Sequence, residues 1–379
     1  MPKLIAYDCI PLLFIVTWIY GVIVGLLFEN NLIFVFSNFA GMSLYALYFI
    51  FLKYSIDKDQ LINRVLFAAF VSLTINILVS VLLNLHLYDF ISTYVAPVVG
   101  DHVGGERANG QVRMLNQSQL PIFMLLAALL FRVRSKAIVG LKYRLLSRGP
   151  VAIYLLIIFS LYVVIVMAIS KGNMLAVLVV FSIFSLINQT PTRFVMFSLF
   201  VFCIYFLLDY FNYTGLISII FSHKDDGNLI RYDQFNKIVA DFSFFGRGLG
   251  AVIPDFARNA DYPYGFELSY VNLIHKLGVF SLPLLAAYGY SFYCALSNLW
   301  RYRKSEQGCC YAVALGGLCY LFPAIGNPIL FGPGCVALHC IALYLMRPQP
   351  TAQRSYRQVT GEPMYSHETG RLHEQGLRD

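Results

Sequence analysis

The sequence predicts an all-α polytopic membrane protein, about ten transmembrane helices with a large periplasmic loop containing an amphipathic helix. Three observations carry that expectation. Of 379 residues, 58% are hydrophobic and only 13% are charged, where soluble domains carry about 25%. Apolar runs of about 20 residues, long enough to cross hydrocarbon as helices, recur from end to end. Lysine and arginine, finally, are distributed unequally between alternate connecting segments.

In chain order the expected spans are 9–28, 32–52, 65–86, 119–134, 150–169, 172–188, 194–213, 268–297, 309–325 and 332–346. With the N-terminus inside, 19 of the 28 cations fall in inner segments, as the positive-inside rule requires. The outer segments keep Arg107, Arg113, Lys171, Lys224, Arg231, Lys237, Arg247, Arg258 and Lys276, and the outer turns near 29–31 and 326–333 have none. Both termini are therefore expected to be cytoplasmic. The net charge of +8 reflects this anchoring bias rather than nucleic-acid binding.

Residues 1–346 read as one integral membrane domain with outer loops at 87–118 and 214–267. The polar stretch 347–379 reads as a solvated, partly disordered cytoplasmic tail. The first span lacks a small-residue cleavage site and is expected to be retained. All eight cysteines fall within or beside spans, so no outer disulfide is expected, and none has zinc spacing. No internal repeat is evident.

The loop 214–267 is the largest polar excursion, and a basic loop on the outer side points to an anionic ligand there. Within it Tyr232, Phe235, Ile238, Val239, Phe242 and Phe245 recur at helical spacing, with Asp233, Lys237 and Asp241 elsewhere around the axis. Such a helix lies on the outer surface of a bilayer. Gly246, Gly248 and Gly250 are expected to break it and give backbone flexibility beside Arg247. Pro254 and Pro263 shape the return, and Tyr262, Tyr264 and Phe266 are available to stack on sugar rings. The glycines follow no strand and face outward, which argues against a nucleotide loop.

An arginine-led helix ending in Phe245-Gly246-Arg247-Gly248-Leu249-Gly250, then a loop, then a polar residue opening a span, resembles the lipid-linked polysaccharide polymerase and ligase superfamily. In ligases the polar residue is commonly a histidine. Here the position reads Glu267-Leu268-Ser269-Tyr270-Val271-Asn272, which is more similar to the polymerase branch (Wzy-type). Glu106-Arg107-Ala108-Asn109-Gly110 with Asn116, Ser170-Lys171-Gly172, and Gly326-Asn327-Pro328 fit the same pattern. The resemblance implies transfer of a glycan from a polyprenyl pyrophosphate to a sugar hydroxyl on a second carrier, without nucleotide or metal. It implies undecaprenyl-pyrophosphate-linked oligosaccharides and membrane lipids as partners, with a chain-length regulator and a flippase in the same pathway.

Such a site must bind pyrophosphate, neutralise its developing charge and remove a hydroxyl proton. Arginine suits the first two tasks through its forked donors. Arg231 is the first candidate, against the alternative of an interfacial arginine touching headgroups. Arg113, Arg107 and Lys171 come next, Lys171 being placed at a very short turn between two spans. Arg247 is as easily a solvated loop residue. Tyr270 and Asn327 complete the substrate-binding set. Glu267 is the candidate general base, where partial burial would favour proton acceptance. The alternative is a carboxylate stabilised at a helix N-terminus. His275 reads as a hydrogen-bonded packing residue and Asn76 as interhelical glue; Asp209 and His86 sit at interfacial span ends. The rival functions are an O-antigen ligase, with the same chemistry and a lipid A-core acceptor, and a flippase. A flippase would be expected to show paired halves and charges deep within spans.

Overall fold

The computed structural model describes residues 5–85, 103–106, 112–114, 117–134, 143–168, 170–187, 226–253, 256 and 263–348. The expected span 194–213, most of the outer loop 87–118 and nearly all of the tail lie outside them.

Helices form where the apolar runs demand internal satisfaction of backbone groups. The first helix, α1 (Cys9–Leu27), is followed by α2 (Leu32–Ser43) and α3 (Ala46–Lys53). Asn31 caps α2, its Oδ1 accepting from the Ile33 N–H at 2.9 Å. Then come α4 (Lys58–Asn84), α5 (Leu120–Arg134), α6 (Pro150–Leu161), which runs on as a wider π-type turn through Met167, and α7 (Lys171–Leu186). The polar loop contributes α8 (Asp226–Ala240), and α9 (Ser269–Leu277), α10 (Ser281–Arg301), α11 (Gln307–Leu318) and α12 (Pro333–Met346) complete the set.

Five helical stretches among the described residues are long and apolar enough to cross a membrane: Cys9–Leu27, Leu32–Lys53, Lys58–Leu82, Ser269–Arg301 and Gln307–Ile325. Leu120–Val133, Pro150–Ile165, Gly172–Leu186 and Pro333–Met346 are apolar but shorter. The set is compatible with a multi-pass α-helical membrane protein. Outside the helices, Val103–Glu106 and Val112–Met114 pair as a short antiparallel hairpin, with Gly105 opposite Arg113; the sequence reading had no strand there.

The centre of Met1–Met346, which forms one compact unit, is the pair α5 and α11. Residues Ile122–Leu129 of α5 and Ala312–Leu315 of α11 are wholly buried. Gly316 lets the two backbones approach: a Cβ there would overlap Phe123 O and come 2.7 Å from Met124 Cα. Around this pair, α10, α12, α4 and α6 pack in turn. Polar side chains stitch the layers. Asn76 Nδ2 donates to Ser118 Oγ at 3.0 Å, the interhelical tie expected of it. Tyr45 Oη and His339 Nδ1 lie 2.6 Å apart, and His339 Nε2 reaches Ser291 Oγ at 3.2 Å; bonds of this kind contribute about 0.6 kcal/mol each in membrane bundles. The outer helices turn apolar faces outward. On α1, Leu12, Val16, Ile19, Ile23 and Leu27 form one exposed stripe at helical spacing, too extensive for a water-facing surface.

Within the stretch Ser269–Arg301, which covers the span expected over 268–297, the α-helix is interrupted locally. At Gly278 φ is +56°, a Cβ would overlap Phe244 O, and the Val279 N–H donates to Phe244 O at 2.9 Å. A left-handed glycine ends α9, and α10 restarts three residues on, after a 3-10 turn.

Candidate functional site

The loop's polar residues are placed by two pieces of local structure, α8 and the glycine run that follows it. On α8, Arg231, Gln234 and Ile238 recur at i, i+3 and i+7 and face inward, while Tyr232, Phe235 and Val239 are exposed. The helix is amphipathic as expected, with one refinement. Its buried side carries the polar pair Arg231 and Gln234, and most of its apolar residues face out. Ile238 alone of the expected apolar face turns inward, against Ile253 and Phe266.

After the turn at Asp241, Gly246–Gly250 threads between the C-terminal ends of α1 and α9. The Arg247 and Gly248 N–H groups donate to His275 O and Lys276 O at 2.9 Å each, and Leu249 N–H donates to Gly21 O at 2.9 Å. Gly250 N–H donates to Asn38 Oδ1 at 3.2 Å. From α1's end, Asn30 Nδ2 donates to Arg247 O and Leu249 O at 2.8 and 2.9 Å. All three glycines have positive φ, +82°, +78° and +74°. The expected flexibility is therefore corrected. These glycines permit a left-handed ribbon to lie directly on two helices, and the ribbon is pinned by hydrogen bonds at almost every residue.

Arg247 belongs to that ribbon's fastening. Its Nη2 lies 2.7 Å from Asp241 Oδ1 and its Nε donates to Asp241 O at 3.1 Å, while the guanidinium sits 5.7 Å from the Phe28 ring centroid. The second carboxylate oxygen of Asp241 lies 2.8 Å from Nε2 of the fully buried His275, whose packing role matches the expectation for it. Asp241 thus joins α8's end, the ribbon and α9. Replacing Asp241 by asparagine should destabilise the chain by about 1–3 kcal/mol, since one of its two partners loses its acceptor and both lose the carboxylate's charge. A lowered melting temperature of the purified protein is the readout, and an unchanged one would remove Asp241 from this role.

Lys276, read from sequence only as an outer cation, is fully buried. Its Nζ donates to Asn38 Oδ1 and to Tyr264 O, the latter at 3.0 Å. The rings of Tyr264, Phe266 and Phe331 surround it with centroids 5.6–6.0 Å away, a cation–π cage. It holds the returning loop down on α2.

The two residues singled out for the chemistry meet. Arg231 Nε and Glu267 Oε2 lie 2.9 Å apart, with side chains 25% and 16% exposed. The backbone supports the pair: Leu268 N–H donates to Gln234 Oε1 at 3.2 Å, tying Glu267's neighbour to the next turn of α8. Opposite stands Gly326, where a Cβ would lie 3.7 Å from Arg231 Nε. Asn327 follows it, but its side chain serves the fold, Nδ2 donating to Pro323 O at 2.9 Å while its carbonyl accepts from Ser269 Oγ at 2.6 Å. The Tyr270 hydroxyl is likewise committed, donating to Leu321 O at 2.7 Å.

The N-terminus of α7 reaches the same region. A Cβ on Gly172 would overlap Pro323 Cα, so the backbone at Lys171-Gly172 abuts the turn Pro323–Ile325 that leads into Gly326. The Lys171 side chain lies outside the described ones. Arg113 is placed only as a backbone position in the hairpin, and Arg107 lies outside the described residues, as do Asp209 and His86. The structure thus groups Arg231, Glu267, Asn327 and the backbone of Lys171, and sets Arg247 apart in the ribbon. Among the described residues no group of three or more His, Cys, Asp or Glu side chains could hold a metal ion.

Comparison with known proteins adds no identification: no family model and no curated protein matches this chain.

Gln234 was missed from the sequence. Its signal was present, since i and i+3 share a helix face and the preceding i position was already Arg231.

Proposed function

We propose that the chain polymerises polyprenyl-pyrophosphate-linked oligosaccharide repeat units at the periplasmic face of a bacterial inner membrane. The product would be an O-antigen, a capsule or an exopolysaccharide. The observation that carries the reading is the 2.9 Å contact between Arg231 and Glu267. A forked cation able to grip phosphate and a carboxylate able to take a proton stand side by side where a loop re-enters the helical body. The excess of cations in the alternate segments supports about ten spans with both termini cytoplasmic, which puts this pair on the outer side.

In this mechanism the pyrophosphate of the donor chain binds Arg231, with Lys171, Arg113 and Arg107 as further cations for it. The acceptor sugar's hydroxyl oxygen attacks the donor's anomeric carbon. The bond from that carbon to the phosphate oxygen breaks, and polyprenyl pyrophosphate departs with the bonding electron pair. The hydroxyl proton passes to Glu267. The pair supplies a switch: as Arg231 turns from Glu267 to phosphate, the carboxylate is released to act as base at the moment the leaving group is held. The polyprenyl tails lie in grooves along the exposed apolar faces.

The test is a gel of surface polysaccharide from a deletion strain, complemented with wild type or with Glu267→Ala. A single repeat on core, with the ladder restored only by wild type, is the expected result. Core with no repeat while lipid-linked polymer accumulates outside would mean a ligase. Lipid-linked units retained on the cytoplasmic face would mean a flippase.

A further inference from the structure

Gln234 is 1% exposed, and its two amide ends have different fates. Oε1 accepts from the Leu268 N–H. Because that backbone group can only donate, the orientation of the amide is fixed and Nε2 must point the other way. Among the described residues Nε2 has no hydrogen-bond partner. A buried amide donor left unpaired costs about 1–3 kcal/mol, so a chain that keeps one beside an ion pair keeps a place for an acceptor. Gln234 lies one turn from Arg231 on the same inward face of α8, and its Oε1 holds the residue next to Glu267. Arg231 and Gln234 therefore stand one turn apart on one face, next to Glu267.

Resting on the proposed reading of the site, we propose that Gln234 is its specificity-determining residue: Nε2 donates to an uncharged oxygen, a hydroxyl or carbonyl, of the sugar that bears the phosphate. A neutral amide adds little to the binding of a phosphate already met by arginine. It discriminates strongly between a ligand carrying an oxygen at the right place and one lacking it, because the latter leaves the donor unpaired.

Glutamate separates this role from a structural one. Gln234→Glu keeps an oxygen for the Leu268 N–H and replaces the donor by a second acceptor; Gln234→Met removes both. Full-length wild type, Arg231→Ala, Gln234→Glu and Gln234→Met are each expressed in the deletion strain. Polymer is measured on the polysaccharide gel, per folded chain judged from the melting transition of the purified protein. The expected result is a loss of at least about tenfold per folded chain in both Gln234 variants, with the amount of folded chain unchanged in Gln234→Glu. Wild-type polymer from Gln234→Glu, with Arg231→Ala inactive, overturns the proposal and leaves the reading of the site standing. A loss that merely tracks folded chain also overturns it. Wild-type polymer from Arg231→Ala overturns the reading itself, and the proposal with it.

Discussion

Arg231→Ala is expected to cut polymer formation by about a thousandfold and Arg231→Lys by about a hundredfold, with the protein still present in the membrane. The alanine figure corresponds to about 4 kcal/mol, the range for removing a charged donor aimed at transition-state charge. Lysine retains the charge but not the fork. Once turned from Glu267, its single ammonium cannot grip two phosphate oxygens in a plane as the guanidinium does. The double exchange Arg231→Glu with Glu267→Arg distinguishes chemistry from scaffolding. If the pair served only to fasten α8 to the start of α9, reversing it would restore function. If the cation must stand on α8 and the base at the loop's re-entry, the exchange stays inactive. Restored activity in that double variant would end the catalytic interpretation of both residues.

The second large effect is expected at Gly248. An L-residue at φ +78° costs about 1–2 kcal/mol, and here the methyl would fall on Gly25 N and Cα, with Val24 C 2.7 Å away. Those are backbone atoms of α1, and they cannot move aside as a side-chain tip would. The ribbon cannot lift without losing the Leu249 N–H bond to Gly21 O. Overpacking adds about 1–3 kcal/mol, so Gly248→Ala should lose about 2–5 kcal/mol and little folded protein should accumulate. Gly289, inside α10, is the contrast: a Cβ there meets nothing within 4 Å. Gly289→Ala should raise the melting temperature slightly, since alanine is the better helix former by about 1 kcal/mol. A Gly248→Ala protein melting like wild type would show that the ribbon is not pinned.

Much of this was legible in the residues. Nine of the ten expected stretches fall on described helices, five of them long and apolar enough to cross a membrane, because uninterrupted apolarity leaves the backbone no other way to satisfy itself in hydrocarbon. Arg231 and Glu267 were readable as a cation on a polar-loop helix and a carboxylate just before an apolar helix. Their contact was not, since it depends on how α8 folds back, and local periodicity is silent on that. The break at Gly278 escaped because hydropathy averages over a glycine, although Lys276-Leu277-Gly278 carries the ordinary signature of a helix end. The glycine run misled for a related reason. Sequence shows that Gly246, Gly248 and Gly250 can adopt unusual backbone angles, but whether that freedom becomes slack or close contact depends on what lies against them. Lys276 likewise looked like a surface charge because nothing nearby in sequence announces the three rings that enclose it.

The pinned ribbon also sets a timetable for synthesis. Tyr20, on α1, donates through its hydroxyl to Phe245 O at 2.7 Å across 225 positions of chain. At about 5–20 residues per second, roughly 10–45 s separate the emergence of these two partners from the ribosome. Throughout that interval α1 stands with its docking edge uncovered, and the ribbon's other anchor, α9, has yet to be made. The first helix is therefore a template that waits for the last third of the chain, and the Arg231–Glu267 pair closes only once that third arrives. A polypeptide released before Glu267 would leave the ribbon without its anchor on α9 and Arg231 without its carboxylate partner.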